Sequence, residues 1–232
     1  PHLALDPAVT LVKGDVCDFE FPKGEFSHVI HAATETSLQF EIIDSLDKFT
    51  ANIEGTRRVL DFAISSGASK FLFTSSGAVY GKQPLNMKKI SENYVGAPET
   101  RSINTAYGQS KRASEFLCAA YANKHGLQTI IARGFAFTGP MIPLNSNLAI
   151  GNFIRDAING NSIKITGDGT PYRSYLYAAD LTIWLWFILL KGQPCHPYNV
   201  GSDKAISIME LAQMVKEVIN PKVSIVAAEQ FV

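Results

Sequence analysis

Tyr107-Gly108-Gln109-Ser110-Lys111 opens a run of helical composition that stops at Gly126. A strand-like run stands on either side of it, Lys-Phe-Leu-Phe-Thr at 70–74 and Leu-Gln-Thr-Ile-Ile-Ala-Arg at 127–133. Strands that alternate with long helices build a parallel sheet with crossover helices. The pattern extends upstream: strands are expected at 9–13 and 26–31, and a helix over 45–66 with Ile53, Val59, Leu60 and Ala63 as its apolar stripe and Gly67 as its stop. In such sheets the functional groups collect at the carboxyl ends of the strands. Those ends carry Asp15, Ala32-Ala33, Ser75-Ser76 and the segment after Arg133. The fold class is therefore α/β, a doubly wound parallel sheet.

The same five residues suggest chemistry. Positions four apart share a helix face, so the Tyr107 hydroxyl and the Lys111 ammonium can reach one small volume. A phenol titrates near pH 10, and bringing it to neutrality takes about 4 kcal/mol of differential stabilisation. One positive charge about 4 Å away supplies that order of energy at an effective dielectric near 20. The expectation is a phenol made acidic by its neighbour and able to transfer a proton.

Composition narrows the classes. Hydrophobic residues make up 46% and charged residues 18%, which fits a packed domain and not a disordered chain. Net charge is zero with no basic block, which argues against nucleic-acid binding as the main task. Cys17, Cys118 and Cys195 are odd in number and widely spaced, as expected of a reducing, cytoplasmic setting without a disulfide framework. No metal site is expected: the five histidines form no ligand pattern, and His28 and His31 fall on opposite faces of a strand. The apolar run at 181–190 is too short to span a bilayer and reads as a buried helix with Trp184 and Trp186 in a core or interface.

Beyond Gly139-Pro140 the elements shorten. A loop carries Pro143, Asn145, Asn147 and Gly151, and a short helix is expected over 152–158. A small strand follows at 162–166, then the tryptophan helix, a strand at 198–200 and a last helix from an N-cap at Ser207 to Ile219. This divides the chain into residues 1–140, a partial dinucleotide-binding domain, and residues 141–232, mostly a smaller substrate-facing part.

Taken in order, several segments resemble the extended short-chain dehydrogenase/reductase superfamily, and within it the NAD-dependent nucleotide-sugar epimerases and dehydratases. They are Gly-Asp-Val at 14–16, His-Ala-Ala at 31–33, Asn-Ile-Glu-Gly-Thr at 52–56, Thr-Ser-Ser-Gly-Ala-Val-Tyr-Gly at 74–81, Tyr-Gly-Gln-Ser-Lys at 107–111 and Arg-Gly-Phe-Ala-Phe-Thr-Gly-Pro at 133–140. Gly-Asp-Gly-x-x-x-Arg-x-Tyr-x-Tyr-x-x-Asp at 167–180 and Tyr-Asn-Val-Gly at 198–201 complete the set. The resemblance implies a Rossmann-like fold, NAD as cofactor and a nucleotide sugar as substrate. It implies Tyr107 as acid/base, Lys111 as the group that tunes it and holds the nicotinamide ribose, and Ser76 as the hydrogen-bond partner of the reacting hydroxyl. Asp15 and Val16 would meet the adenine. His31, Ala32, Ala33, Asn52, Thr74 and Ser75 would line the rest of the cofactor site. Arg173 would grip the substrate diphosphate, with Ala136 and Asn152 also at the substrate. A homodimer through the helices near 45–66 and 105–125 is expected from the same resemblance.

Two departures matter. The glycine-rich loop that should follow the first strand of such a fold is absent, as though the chain starts two strand–helix units late; it reads as a piece of a longer enzyme, with weak NAD binding on its own. Second, the 4,6-dehydratases resemble one another in an acidic pair just after the catalytic Ser/Thr, where this chain has Gly77-Ala78. Neither residue can donate a proton, so epimerisation is expected over dehydration, with decarboxylation open and a non-catalytic nucleotide-binding relative as the alternative from another class. Ala136 stands where a substrate-binding asparagine is expected.

Overall fold

A computed structural model describes residues 6–34, 44–84, 87, 89–146 and 148–228. The sequence places Asn147 in a loop, and that position lies outside the described residues. The first layer contains β1 (His28–His31), α1 (Ser45–Ser65), β2 (Lys70–Ser76), α2 (Ala106–His125) and β3 (Gln128–Gly134). Then come β4 (Ala136–Thr138), α3 (Ala149–Ile158), β5 (Ile163–Ile165), β6 (Tyr172–Arg173), β7 (Tyr175–Tyr177) and α4 (Ala178–Lys191). The chain closes with β8 (Pro197–Val200), β9 (Ile206–Ser207), α5 (Ile208–Ile219) and β10 (Ile225–Ala227).

The main sheet runs β1-β2-β3-β8 with every pairing parallel. Alternation along β2 explains its two faces: Phe71 and Phe73 point one way and Leu72 the other, all without solvent exposure. Phe71 and Phe73 pack with Val59, Leu60, Phe62 and Ala63 of α1 and Cys118 of α2. Leu72 packs with Ile130, Ala132 and Val200 of the sheet and Ile188 and Leu189 of α4. Helices thus cover both faces, the doubly wound arrangement the alternation of elements implies. A third apolar cluster, built by α3, α5, β5 and neighbouring segments, holds the later part of the chain together.

Local signals act where expected. Asp44 caps α1 by accepting from the Leu46 N–H at 2.7 Å. α2 ends at Gly126 in the left-handed region (φ 71°), a conformation a side chain would strain. Ser207 and Glu210 form a reciprocal capping box at the start of α5.

Two expectations fail. Residues 9–13 form no strand; they are exposed and irregular, because no strand among the described residues offers them a ladder and their apolar side chains find no face to cover. The tryptophan helix is not buried: Ile188 and Leu189 of α4 meet the sheet, while Trp184 (42% exposed), Trp186 (53%) and Phe187 (66%) do not. An all-round apolar helix signals burial on every side, but only one side of α4 is covered here. Among the described residues no helix is long and apolar enough to cross a membrane, and no cluster of His, Cys, Asp and Glu could hold a metal ion.

Candidate active site

The end of β2 and the start of α2 build the centre of the site. They are brought together by Gly108, where any Cβ would stand 2.8 Å from the Ala78 carbonyl oxygen and 2.9 Å from the Pro98 ring. Only glycine lets α2 approach the turn after β2 so closely, and that approach sets Tyr107 beside Ser76. Ser76 caps the short turn Gly77–Tyr80 by accepting from the Ala78 N–H. The Ser76 hydroxyl keeps its proton free to donate to the Tyr107 phenol. The Thr34 hydroxyl lies close to the phenol as well, with its own proton given to Asn52 Oδ1.

Lys111 lies one turn into α2 with 2% of its surface exposed. Its Nζ donates to the Thr74 carbonyl at 2.8 Å, and stands 4.7 Å from the Phe73 ring centre and 5.8 Å from that of Tyr107. Burial lowers its pKa to about 8, with the negative charge of Glu115 opposing. The phenol does not shift as the sequence suggested: burial raises the Tyr107 pKa, and hydrogen bonding from Ser76 only moderates the rise. The physical reason is visible. The ammonium is committed to the Thr74 carbonyl, and its distance and a buried setting leave desolvation of the phenolate as the larger effect.

A polar chain ties this centre to a neighbouring cleft. Thr34 donates to Asn52 Oδ1 at 3.0 Å, Asn52 Nδ2 donates to Ser110 at 3.1 Å, and Ser110 donates to the Tyr107 carbonyl at 2.9 Å. His31 is nearly buried beneath it. Because the Thr56 hydroxyl donates to the Asn52 carbonyl, His31 Nε2 is the donor to Thr56 at 3.1 Å. Burial, with Lys111 adding, drops the His31 pKa to about 3, so the ring is neutral. The cleft, about 230 Å³, is lined by Asp15, Val16, His31, Ala33, Thr34 and Asn52, among others. Val16 packs on Gly55 of α1, where a Cβ would meet its methyl group at 2.8 Å. Asp15 Oδ1 accepts from the Cys17 N–H, so the carboxylate steadies its own turn while facing the cleft.

The structure thus gathers Ser76, Tyr107, Lys111 and Thr74 in one place and Asp15, Val16, His31, Ala33 and Asn52 in the adjoining one. Ala32 precedes Ala33 on the exposed rim. Ser75 points elsewhere, donating to Glu115 at 2.5 Å. Ala136 begins β4 and pairs with Tyr175 of β7. Asn152, on α3, is engaged locally, donating to the Ser146 carbonyl of the preceding loop and accepting from Arg155 of its own helix. Arg173, on β6, is exposed and donates to the Tyr172 carbonyl. The sequence reading gave no role to Thr34, Ser110 or Glu115. Glu115 had a signal in its spacing, four residues after Lys111; Thr34 had none beyond following the alanine pair.

One more feature shapes the site. The Phe135 ring lies over Gly77, so a Cβ there would come within 2.7 Å of it. An aromatic ring thus covers Gly77, the position just after Ser76.

Comparison with known proteins gives the family and the fold. The family model described as NAD dependent epimerase/dehydratase family matches residues 1–201. UDP-glucuronic acid decarboxylase 6 of Arabidopsis thaliana is 31% identical over 223 residues, which cover 96% of this chain and 63% of that protein. The chain spans less than two thirds of the length of the first curated relatives it matches. Among solved structures, the UDP-glucuronic acid 4-epimerase of Bacillus cereus in complex with NAD superposes with a TM-score of 0.83 at 23% identity, over 97% of this chain and 72% of that one. The NAD-bound dTDP-glucose 4,6-dehydratase DesIV of Streptomyces venezuelae gives 0.83 at 22%, over 98% and 70%. At that identity these structures speak to the fold, which is Rossmann-like.

Proposed function

Because the chain belongs to the NAD-dependent epimerase/dehydratase family, we propose that the whole protein oxidises a nucleotide-linked sugar at C4 and returns the hydride to the other face of the ketone, an epimerisation. The observation that carries the reading is the Tyr107 phenol, hydrogen-bonded by Ser76, with the buried Lys111 ammonium behind it and a cleft of about 230 Å³ beside it. NAD, when bound, supplies the hydride acceptor. The residues fit it: small Ala32 and Ala33 leave room at the rim, Asp15 offers a carboxylate to the adenosine end, and Lys111 offers an ammonium to the nicotinamide ribose.

The chain's own part in the reaction is proton handling. Tyr107 takes the proton of the sugar hydroxyl, Ser76 shares that hydrogen bond, and Lys111 stabilises the phenolate as it forms. Residues 1–140 would hold the dinucleotide and residues 141–232 mostly the sugar nucleotide, with Ala136, Asn152 and Arg173 on that side. The whole protein would act as a homodimer through α1 and α2, whose outer faces expose Leu46 and Phe116.

Dehydration is disfavoured because Gly77 and Ala78 carry no acid and Phe135 covers the place of one. Decarboxylation stays as a second reading, favoured by the plant relatives that are UDP-glucuronic acid decarboxylases. It shares the first step: oxidising C4 of a uronic acid makes a β-keto acid, which loses carbon dioxide with little help from the protein. The test uses UDP-glucuronic acid labelled with carbon-13 at C6 and the whole protein. Retention of label in a C4 epimer supports the first reading, release as carbon dioxide the second, and no change with any nucleotide sugar rejects both.

A further inference from the structure

Glu115 lies outside the set that handles the proton, yet it joins every element on which that set stands. Its carboxylate is almost fully enclosed, as is the Arg133 guanidinium it faces (12% and 14% exposed). Arg133 Nη2 donates to Oε2 at 2.7 Å and Nε to Oε1 at 3.0 Å, a bidentate pair. Oε1 also accepts the Ser75 hydroxyl at 2.5 Å. Arg133 in turn donates to the Tyr80 hydroxyl, which donates to Asn199. One carboxylate therefore fastens α2 to β2, and through Arg133 to β3, the turn after β2 and β8.

The residue it grips matters most. Ser75 sits between Thr74, whose carbonyl receives the Lys111 ammonium, and Ser76, whose hydroxyl serves Tyr107. Tyr107, Lys111 and Glu115 follow one another at four-residue spacing along α2, on one face. We propose that Glu115 is a positioning residue for the reaction: held by Arg133, it clamps Ser75 and so fixes the end of β2 against α2, and it is the buried countercharge one turn from Lys111. This inference rests on the proton-transfer role of the Ser76/Tyr107/Lys111 set.

Misplacing reacting groups by an ångström costs up to about a hundredfold in rate. Ser75→Ala keeps the ion pair and removes only the hydroxyl that transmits the clamp. Glu115→Gln removes the charge, and the double variant Glu115→Gln/Arg133→Met does so without leaving a buried cation unpaired. In the whole protein, kcat should fall at least about tenfold in all three, with KM for the sugar nucleotide and NAD affinity within about twofold of wild type. A second readout needs no substrate: lysine labelled with carbon-13 at Cε, with the Lys111 signal assigned by Lys111→Met, titrated by NMR. Besides Glu115, Lys111 faces His31 from β1 and Tyr107 and Cys118 from its own helix. The Lys111 midpoint should move to lower pH in Glu115→Gln and stay in place in Ser75→Ala. Wild-type kcat in folded Ser75→Ala, or a Lys111 midpoint that does not move in Glu115→Gln, overturns the proposal. If wild type turns over no nucleotide sugar, the function assigned to the site fails instead, and the Lys111 titration still reports on Glu115.

Discussion

Tyr107 must lose a proton where burial makes that loss harder. The Ser76 hydroxyl is the group that directly favours its anion, since Thr34 gives its proton to Asn52. In Tyr107→Phe the ring and its packing remain and the proton acceptor is gone. Activity should fall by at least about a thousandfold, the upper range of a general base, while NAD binding persists. Wild-type activity in that variant would remove the assigned mechanism. His31 gives a stability prediction from the same buried region. Its folded pKa, about 3, lies below the ordinary value of 6.5, so the unfolded chain binds the extra proton between those values. Its contribution is complete above pH 6.5 and is lost as pH falls toward 3. The loss amounts to about 5 kcal/mol at most. Urea midpoints measured against pH should show that acid limb in wild type and a flatter one in His31→Gln, whose amide can still meet Thr56. Phe135 offers a third test. Gly77→Asp sets a carboxylate against its ring, so it should fail to yield a dehydrated 4-keto-6-deoxy product, and adding Phe135→Ala should at least restore the stability lost, on the order of 1–3 kcal/mol for overpacking.

Helices and strands show which part of this molecule a sequence reveals. α1, α2, β2 and β3 were legible because each has a period, a stop such as Gly126 and neighbours of the alternate type. β1 was legible for the same reason, and the opposite placement of His28 and His31 followed from strand geometry alone. Residues 9–13 and α4 were misread because their composition states a preference and not a partner: a strand needs an edge to pair with, and an apolar helix needs surfaces on every side. The site was legible where spacing along one element carries it, as at Tyr107 and Lys111. It was hidden where the contact crosses elements, as from Thr34 to Asn52 and from Ser75 to Glu115. The direction of the Tyr107 shift was missed for a related reason, since sequence shows the neighbouring charge and not the Thr74 carbonyl that occupies it. At this scale the proposed pairing of α1 and α2 can be tested. Phe116, 71% exposed on α2, would lie in the interface. Phe116→Arg should shift the whole protein from dimer to monomer in light scattering; an unchanged mass would place the interface elsewhere.

Across the whole chain, the proposed NAD site offers groups to the two ends of a dinucleotide and none to its middle. Asp15 and Val16 line the cleft, and Tyr107 and Lys111 stand outside its lining, in the neighbouring centre. Between them a pyrophosphate carries two negative charges that need backbone N–H groups at a helix N-terminus, commonly supplied by Gly-x-Gly-x-x-Gly. The sequence contains no such run; its nearest approach, Gly167-Asp-Gly169, continues to Tyr172 where the last glycine would stand. Leaving those charges to water forfeits the strongest contacts a dinucleotide makes. These 232 residues by themselves should therefore bind NAD more weakly than about 1 mM, a free energy near 4 kcal/mol. A longer protein that carries the cradle should bind at least about a hundredfold tighter, a gain of about 2.7 kcal/mol. Isothermal titration of both forms decides the point: micromolar NAD binding to the 232 residues would mean that the cleft beside Asn52 holds the whole cofactor without a glycine-rich loop, and that the phosphates are met by groups other than those a Rossmann fold uses.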